Sequence, residues 1–163
     1  MEINKGDRTM IDVTLICLGK IKEKYLVEAI NEYTKRIKTL GNLNIIELKE
    51  INTDDSNKNL VEEGKNILKN INDNDYVITL EILGKELDSV SFSKLIENHY
   101  TYDSRKMVFV IGSSCGLSDE VKNRSNYKLS FSKMTFPHQL MRVIFFEQCY
   151  RAFAIMNNIK YHK

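Results

Sequence analysis

Several patterns that mark familiar classes of protein are missing from this sequence. Its three cysteines, at positions 17, 115 and 149, are widely spaced and form no CxxC pair, so neither a disulfide framework nor a zinc site is expected. No apolar run approaches the ~20 residues that a membrane-spanning helix needs. The glycine-rich P-loop and G-x-G-x-x-G fingerprints are also missing. These absences favour a cytoplasmic protein with reduced thiols, no metal site and no membrane partner.

The composition is that of an ordinary globular protein. Hydrophobic residues make up 42% and charged residues 28% of the 163 residues, a chain long enough for one domain with a core but short for two. Residues 1–9 are polar, lack a secretory apolar core and are interpreted as an extension outside the fold. Residues 10–163 are predicted to form a single domain.

Positive charge is concentrated at the C-terminal end. From residue 130 to residue 163, five Lys or Arg residues stand against one acidic residue, Glu147, although the net charge of the whole chain is only +2. The single proline, Pro137, and two of the three histidines, His138 and His162, lie in the same stretch. Charge gathered at one end of a nearly neutral protein indicates an anionic partner, so a functional site is expected there.

Short apolar runs alternate with amphipathic helical patterns along the chain. Ser118 is predicted to cap a short helix. The periodicity predicts strands at 11–18, 44–48, 76–82, 107–111 and 127–132, and helices at 22–38, 58–70, 91–100, 118–124 and 137–157. This alternation predicts an α/β fold in which helices sandwich a largely parallel sheet.

The last predicted helix is apolar on almost every side. In a single small domain one side of such a helix would face water, so the pattern predicts a homodimer with this helix in the interface. Glu147 and Arg151 are spaced i, i+4 on it and are predicted to form a solvated or interfacial ion pair.

Two loops follow predicted strands, where open α/β sheets bind ligands. The first, residues 111–116, carries two glycines that permit positive φ or close approach of the backbone to a ligand. Its Cys115 is either a small residue in a tight turn or a nucleophile activated by a base. The second, residues 130–137, mixes aromatic rings and a methionine with hydroxyls, which suits a ligand such as adenosine, although a plain loop fits equally well.

Longer motifs carry a resemblance to a known family. Residues 129–142 read Leu-Ser-Phe-Ser-Lys-Met-Thr-Phe-Pro-His-Gln-Leu-Met-Arg, and the chain ends in Tyr-His-Lys. With residues 18–25, 77–81 and 109–112, these motifs resemble the RlmH-type (YbeA-like) methyltransferases of the SPOUT class, over residues 10–163. The resemblance implies transfer of a methyl group from S-adenosylmethionine to N3 of a pseudouridine in bacterial large-subunit ribosomal RNA. It also implies a C-terminal deep trefoil knot, an exception to the rule against knots, with the cofactor bent in a pocket that a partner protomer completes.

Matching the family's motifs position by position assigns the cofactor site. The residues implied to bind S-adenosylmethionine are Leu80, Gly112, Phe131, Ser132, Lys133, Met134, Thr135 and Phe136. The chain departs from the family at Ser113, where many members carry glycine, and at residues 157–160, where many carry a glycine-containing turn. A serine at position 113 requires a φ that non-glycine residues tolerate. At residues 157–160, asparagine tolerates the left-handed region, so the turn before the terminal residues is expected to survive.

The implied reaction removes a proton from the target nitrogen, which requires a base. His162 is the candidate base, because a neutral imidazole accepts protons at cytoplasmic pH, and its tail is expected to order when ligands bind. Arg142 is expected to stabilise charge on the pyrimidine ring or to hold a phosphate. His138 is expected to support the second loop. Candidate phosphate contacts are Lys133, Arg151, Lys160 and Lys163.

The modest net charge bears on the substrate and on the alternatives. Proteins that bind naked RNA strongly are usually far more basic, so assembled ribosomes are the expected substrate. A non-catalytic module that binds RNA or ribosomes would keep the basic end without needing the cofactor loops. A hydrolase using Cys115 and a histidine is the third alternative.

Overall fold

The structure is a computed structural model that describes residues 10–163; the extension predicted at residues 1–9 lies outside the described residues. Strands and helices alternate throughout, as the sequence predicts. The strands are β1 (Ile11–Leu18), β2 (Gly41–Leu48), β3 (Tyr76–Glu86), β4 (Met107–Val110) and β5 (Tyr127–Ser130). The helices are α1 (Lys24–Ile37), α2 (Ser56–Lys69), α3 (Ser89–Tyr102), α4 (Asp119–Arg124) and α5 (His138–Met156).

The five strands form one parallel sheet in the order β2-β1-β4-β3-β5. Successive side chains of β1 pack into two separate apolar clusters, because neighbouring residues of a strand face opposite sides of the sheet. Val13 and Leu15 join residues of α1, α3 and α5, whereas Ile16 and Leu18 join residues of α2 and α4. The predicted α/β fold class, a sheet covered by helices on both faces, is confirmed.

Side-chain caps begin three of the helices. Asp55, Asp88 and Ser118 precede α2, α3 and α4, and each accepts the backbone N–H of the third helical residue, at 3.1, 2.7 and 3.4 Å. Each cap satisfies an N–H group that has no partner within the helix. The predicted role of Ser118 is confirmed, and its cap fixes where α4 begins beside the loop after β4.

β3 is longer than the sequence predicts and carries an irregularity that shapes the site. Both Leu80 and Lys85 pair with Leu129 of β5, so the residues between them bulge out of the ladder. Gly84 permits this, because a Cβ there would lie 2.7 Å from the Leu129 carbonyl carbon. The bulge leaves Leu83 98% exposed, next to the end of β5.

α5 is covered mostly by its own chain. Its buried side chains are Arg142, Phe145, Phe146, Cys149, Ala152, Phe153 and Ala154. The sheet lies beneath the helix, and α1 and α3 flank it, so these elements explain most of its all-round apolar character. Leu140, in the first turn, remains 38% exposed. Apolarity alone is therefore a weaker argument for a dimer than the sequence suggested, and the homodimer stays a prediction.

Candidate functional site

A cavity of about 850 Å³ opens at the carboxyl ends of β3, β4 and β5, and is called the large cavity here. Its walls come mainly from residues 80–83, in the bulged part of β3, and from residues 111–117 and 131–141, which follow β4 and β5. This is the edge at which parallel sheets bind ligands, and the walls are largely apolar, as in small-molecule sites.

The structure brings seven of the eight predicted cofactor residues to the wall of the large cavity. They are Leu80, Gly112, Phe131, Ser132, Met134, Thr135 and Phe136. The eighth, Lys133, does not line the cavity; its side chain is exposed and its ammonium nitrogen lies 3.8 Å from Glu86 Oε1.

The loop after β4 is a turn built on two glycines. A Cβ at Gly112 would lie 2.4 Å from the Gly116 carbonyl oxygen, so no side chain fits there. Gly116 has a φ of +84°, and its N–H donates to the Ser113 carbonyl at 2.9 Å. The backbone therefore sets the shape of this wall.

Ser113, which departs from the family pattern, fits this loop without strain. Among the described residues, the only non-glycine residue with positive φ is Asn158, so Ser113 needs no glycine-like conformation. Its buried hydroxyl donates to Glu63 Oε2 at 2.7 Å. At the other departure, Asn158 adopts a φ of 56°, which confirms that asparagine preserves the turn before the terminal residues.

The loop after β5 is fixed at its start and open at its middle. The Phe131 ring meets Phe92 edge-on, with ring centroids 5.7 Å apart, and stacks on Phe145 at 6.2 Å. The Ser132 hydroxyl oxygen accepts the Met134 N–H at 2.9 Å. Met134 itself is exposed at the mouth of the cavity. The loop thus offers an anchored aromatic wall and a flexible apolar rim.

Three charged or titratable side chains on the cavity wall were not assigned to cofactor binding from the sequence. Glu81 follows Leu80 directly, and its Oε2 accepts the Thr79 hydroxyl at 2.9 Å. Lys122 comes from α4. His138 begins α5, and its Nε2 lies 3.8 Å from Glu50 Oε2. Glu81 lies near the end of the strand predicted at 76–82, and this position was the one signal that could have indicated its place on the cavity wall. Lys122 reaches the wall only through the packing of α4.

Arg142 lies in the interior rather than on the wall of the large cavity. Its side chain is only 4% exposed, and Nη1 donates to Glu47 Oε2 at 2.6 Å. Nη2 donates to the carbonyls of Leu18 and Gly19 at 3.0 and 2.8 Å, and Nε has no hydrogen-bond partner. The guanidinium therefore ties α5 to the ends of β1 and β2, an arrangement that favours a structural role over the predicted contact with a substrate.

His162 borders a second cavity of about 410 Å³, called the small cavity here. Asp88, Ser89 and Gln148 supply polar groups to it. The remaining lining residues are Leu87, Val90, Phe92, Leu129, Phe131 and Ile144. Within residues 10–163, Phe131 is the one residue that lines both cavities, so the predicted base and the predicted cofactor site border different sides of it.

A side-chain network on α5 holds the C-terminal residues. Glu147 Oε1 accepts Arg151 Nε at 3.0 Å and the Tyr161 hydroxyl at 3.1 Å, which confirms the predicted Glu147–Arg151 ion pair. Arg151 Nη1 lies 3.2 Å from His162 Nδ1. Because arginine can only donate, Nδ1 is the acceptor, and a neutral His162 carries its proton on Nε2. Burial, followed by the Glu147 charge, raises the pKa of Tyr161 to about 12.

The structure of residues 10–163 bears on the hydrolase alternative, on metal binding and on membrane-spanning helices. In that range the Cys115 thiol takes part in no hydrogen bond with a histidine, which gives the hydrolase alternative no geometric support. No group of three or more His, Cys, Asp or Glu side chains in the same range could hold a metal ion. None of the described helices is both long enough and apolar enough to cross a membrane.

Comparisons with known proteins agree with this geometry. The family model described as "Predicted SPOUT methyltransferase" matches residues 11–162. Two relatives named ribosomal RNA large subunit methyltransferase H come from Clostridium botulinum (strain Kyoto / Type A2) and Clostridium perfringens (strain 13 / Type A). Each is 50% identical over 159 residues, which cover 94% of this chain and 100% of the relative.

A solved structure supports the fold. It is described as a probable methylase family protein from Haemophilus influenzae Rd KW20, and it matches with a TM-score of 0.51 at 18% identity, covering 93% of this chain and 70% of the other. The family match over nearly the whole chain, together with the identity to both relatives, shows that the chain belongs to the SPOUT methyltransferase family.

Proposed function

We propose that the protein is an S-adenosylmethionine-dependent methyltransferase that modifies N3 of a pseudouridine in large-subunit ribosomal RNA, on assembled ribosomes in the cytoplasm. The observation that carries the proposal is that motif residues from three separate segments meet on one cavity, in a chain 50% identical to relatives named for this RNA. The net charge of +2 supports a substrate presented by a preformed particle rather than as naked RNA.

The large cavity fits the proposed cofactor. The apolar walls at Leu80, Ile111 and Phe131 suit a purine ring, and the turn at Gly112 lets backbone groups approach a ligand where a Cβ would obstruct it. Glu81 offers carboxylate oxygens for ribose hydroxyls or for an ammonium group. When bound, S-adenosylmethionine supplies an electrophilic methyl group.

His162 is proposed to take the proton that leaves N3 as the bond from N3 to the methyl carbon forms and the bond from that carbon to the donor sulfur breaks. In the arrangement described above, its Nδ1 faces Arg151 and its Nε2 carries a proton, so it is a hydrogen-bond donor at rest. To accept the N3 proton at Nδ1, the contact with Arg151 has to open. The exposed position of His162 near the chain end allows this, and the polar groups of the small cavity could hold the pyrimidine beside it.

Arg142 is proposed to act on the reaction indirectly. Direct stabilisation of the ring charge would require it to leave Glu47 and two carbonyl groups from the interior of the protein. We therefore propose that it holds the first turns of α5, and with them Met141 and His138, against the large cavity.

A homodimer is proposed because the two halves of the site do not meet within one chain. Ile82, Leu83 and Met134 form an exposed apolar rim around the large cavity, which a second copy would cover. A partner docked on this rim could complete the pocket. Sedimentation tests the proposal: a monomer that still binds cofactor at micromolar concentration would contradict it.

The trefoil knot is proposed as part of the same architecture. Support comes from family membership and from the meeting of the segments after β4 and after β5 on the wall of one cavity. An experimental backbone trace that could be pulled straight without passing through a loop would contradict it.

The activity is tested by transfer of labelled methyl from S-adenosylmethionine. Intact ribosomes, separated subunits, naked ribosomal RNA and transfer RNA are compared, all from a strain lacking this methylation, and the product nucleoside is identified by mass spectrometry. We expect methylpseudouridine in large-subunit RNA, with intact ribosomes preferred. Label in transfer RNA would overturn the substrate, and the absence of both label and cofactor binding would favour a non-catalytic binding module.

A further inference from the structure

A buried carboxylate lies directly behind the loop that follows β4. Glu63, on α2, is only 1% exposed, and it accepts hydrogen bonds from two different loops. Oε1 accepts the Ile51 N–H at 2.9 Å, after β2, and Oε2 accepts the Ser113 hydroxyl at 2.7 Å, after β4. Burying a charged group is costly unless such donors are present, so this carboxylate holds both segments in place.

The Ser113 hydroxyl connects the carboxylate to the backbone of the loop. Its oxygen also accepts the Cys115 N–H at 3.3 Å, so its own hydrogen is directed at Glu63. The resulting chain of hydrogen bonds runs from the Cys115 amide through Ser113 to Glu63. It braces the loop that supplies Gly112, Ser113, Ser114 and Gly116 to the wall of the large cavity.

Close packing restrains the backbone at both ends of this chain of hydrogen bonds, on α2 and on the loop after β4. A Cβ at Gly64, the residue after Glu63, would lie 2.2 Å from Ser118 Oγ, which shows that α2 lies directly against the start of α4. On the loop itself, a Cβ at Gly112 would lie 2.4 Å from the Gly116 oxygen. The donor and the acceptor are therefore both presented from rigid backbone.

We propose that Ser113 and Glu63 form a latch that positions the loop of residues 112–116 for cofactor binding. The proposal rests on the function proposed above. Ser113 and Glu63 are positioning residues, because they act through the loop rather than on the reacting atoms.

The test uses Ser113→Ala, Glu63→Gln and the double variant. The matched controls are Ser104→Ala, at an exposed residue, and Glu62→Gln, at a partly exposed residue that pairs with Lys65 outside the latch. Calorimetry measures the dissociation constants of S-adenosylmethionine and its demethylated product, and hydrogen exchange measures protection of the Cys115 amide in the cofactor-free protein. Methyl transfer at saturating cofactor gives kcat.

Ser113→Ala is expected to weaken binding of both ligands in parallel, by about ten- to a hundredfold, the loss that corresponds to one hydrogen bond to a charged group. The Cys115 amide exchanges faster, and kcat at saturating cofactor is unchanged. The double variant is expected to bind the ligands no more weakly than the single variant with the lower affinity. Both substitutions break the same hydrogen bond, between Ser113 and Glu63. Both controls behave as the unaltered protein.

The outcomes separate the latch from the proposed function. If the unaltered protein binds cofactor and Ser113→Ala matches Ser104→Ala in affinity and amide exchange, the latch is wrong and the function stands. A loss of kcat with unchanged affinity also overturns the latch. If the unaltered protein binds no S-adenosylmethionine, the proposed function fails first and the latch fails with it. If the alanine variant does not fold, Glu63→Gln carries the test with the same expected direction, because an amide can accept only one of the two hydrogen bonds that Glu63 accepts.

Discussion

The two cavities are built in different ways. The large cavity is walled by strand ends and by a glycine turn whose shape is set by the backbone. The small cavity is bordered by His162, an exposed residue near the chain end that one contact with Arg151 orients. Backbone walls suit preorganised binding, whereas a side chain on a tail can change partners during a reaction. Cofactor binding and proton removal should therefore respond to different substitutions.

The largest effect is expected at the small cavity. His162→Ala should lower kcat for methyl transfer by about 10²- to 10⁴-fold, the usual contribution of a positioned acid or base. The dissociation constant of S-adenosylmethionine should stay unchanged, because His162 does not line the large cavity. Single-turnover kinetics and calorimetry measure the two quantities. Normal turnover would show that another group removes the proton.

Arg142 lines neither cavity, so its replacement should lower the stability of the protein and not only the rate of methyl transfer. Arg142→Met leaves Glu47 and two carbonyls without their donor, and should lower the free energy of unfolding by about 3 kcal/mol. Urea denaturation measures this change. Arg36→Met is the control, since the solvent-screened Arg36–Glu32 pair contributes little to stability. Equal stability of both variants, with methyl transfer lost only in Arg142→Met, would restore a catalytic role.

Substitution of the glycine turn should disturb the large cavity alone. Gly112→Ala forces a methyl group against the Gly116 carbonyl, and should destabilise the protein by about 1–3 kcal/mol and weaken cofactor binding. Gly116→Asn is the control for stability only, because a Cβ at Gly116 would meet nothing within 4 Å and asparagine tolerates positive φ, although Gly116 also lines the cavity. Thermal unfolding and calorimetry check both variants. Unchanged cofactor affinity in Gly112→Ala would separate this turn from the binding site.

The smallest effect concerns the thiols. Burial raises the pKa of Cys17 to about 11 and also raises that of Cys149, whereas Cys115 is exposed. At pH 8, iodoacetamide should label only Cys115 in the folded protein and all three cysteines after denaturation. The stability contributed by protonated Cys17 is complete below the unfolded pKa of ~8.5 and is lost as pH rises towards the folded value. Mass spectrometry counts the adducts; a second adduct in the folded protein would contradict the burial.

Sequence periodicity was sufficient for the order and type of the elements. Strands with both faces covered are continuous apolar runs, and β4 and the second half of β1, residues 15–18, show this clearly. The extension of β3 to Glu86 was missed because Gly84 looks like the end of a strand. Only the pairing of Leu80 and Lys85 with the same residue of β5 shows that the strand resumes after a bulge.

The loops of the candidate site were predictable from motifs, but the contacts that support them were not. Ser113 and Glu63 are 50 residues apart, and Arg142 and Glu47 are 95 residues apart, so no local spacing indicates either pair. Sequence alone presented Arg142 as a free cation in a basic segment. The structure instead shows it bonded to Glu47 and to carbonyls at the end of β1, contacts that depend on how α5 crosses the sheet.

The shared wall at Phe131 gives the two cavities a thermodynamic connection. The ring is held by Phe92 and Phe145, and it borders both spaces. A molecule in one cavity that restrains this ring removes conformational freedom that a molecule in the other would otherwise have to restrain. Any such cooperativity is reciprocal: the factor by which cofactor strengthens RNA binding equals the factor by which RNA strengthens cofactor binding.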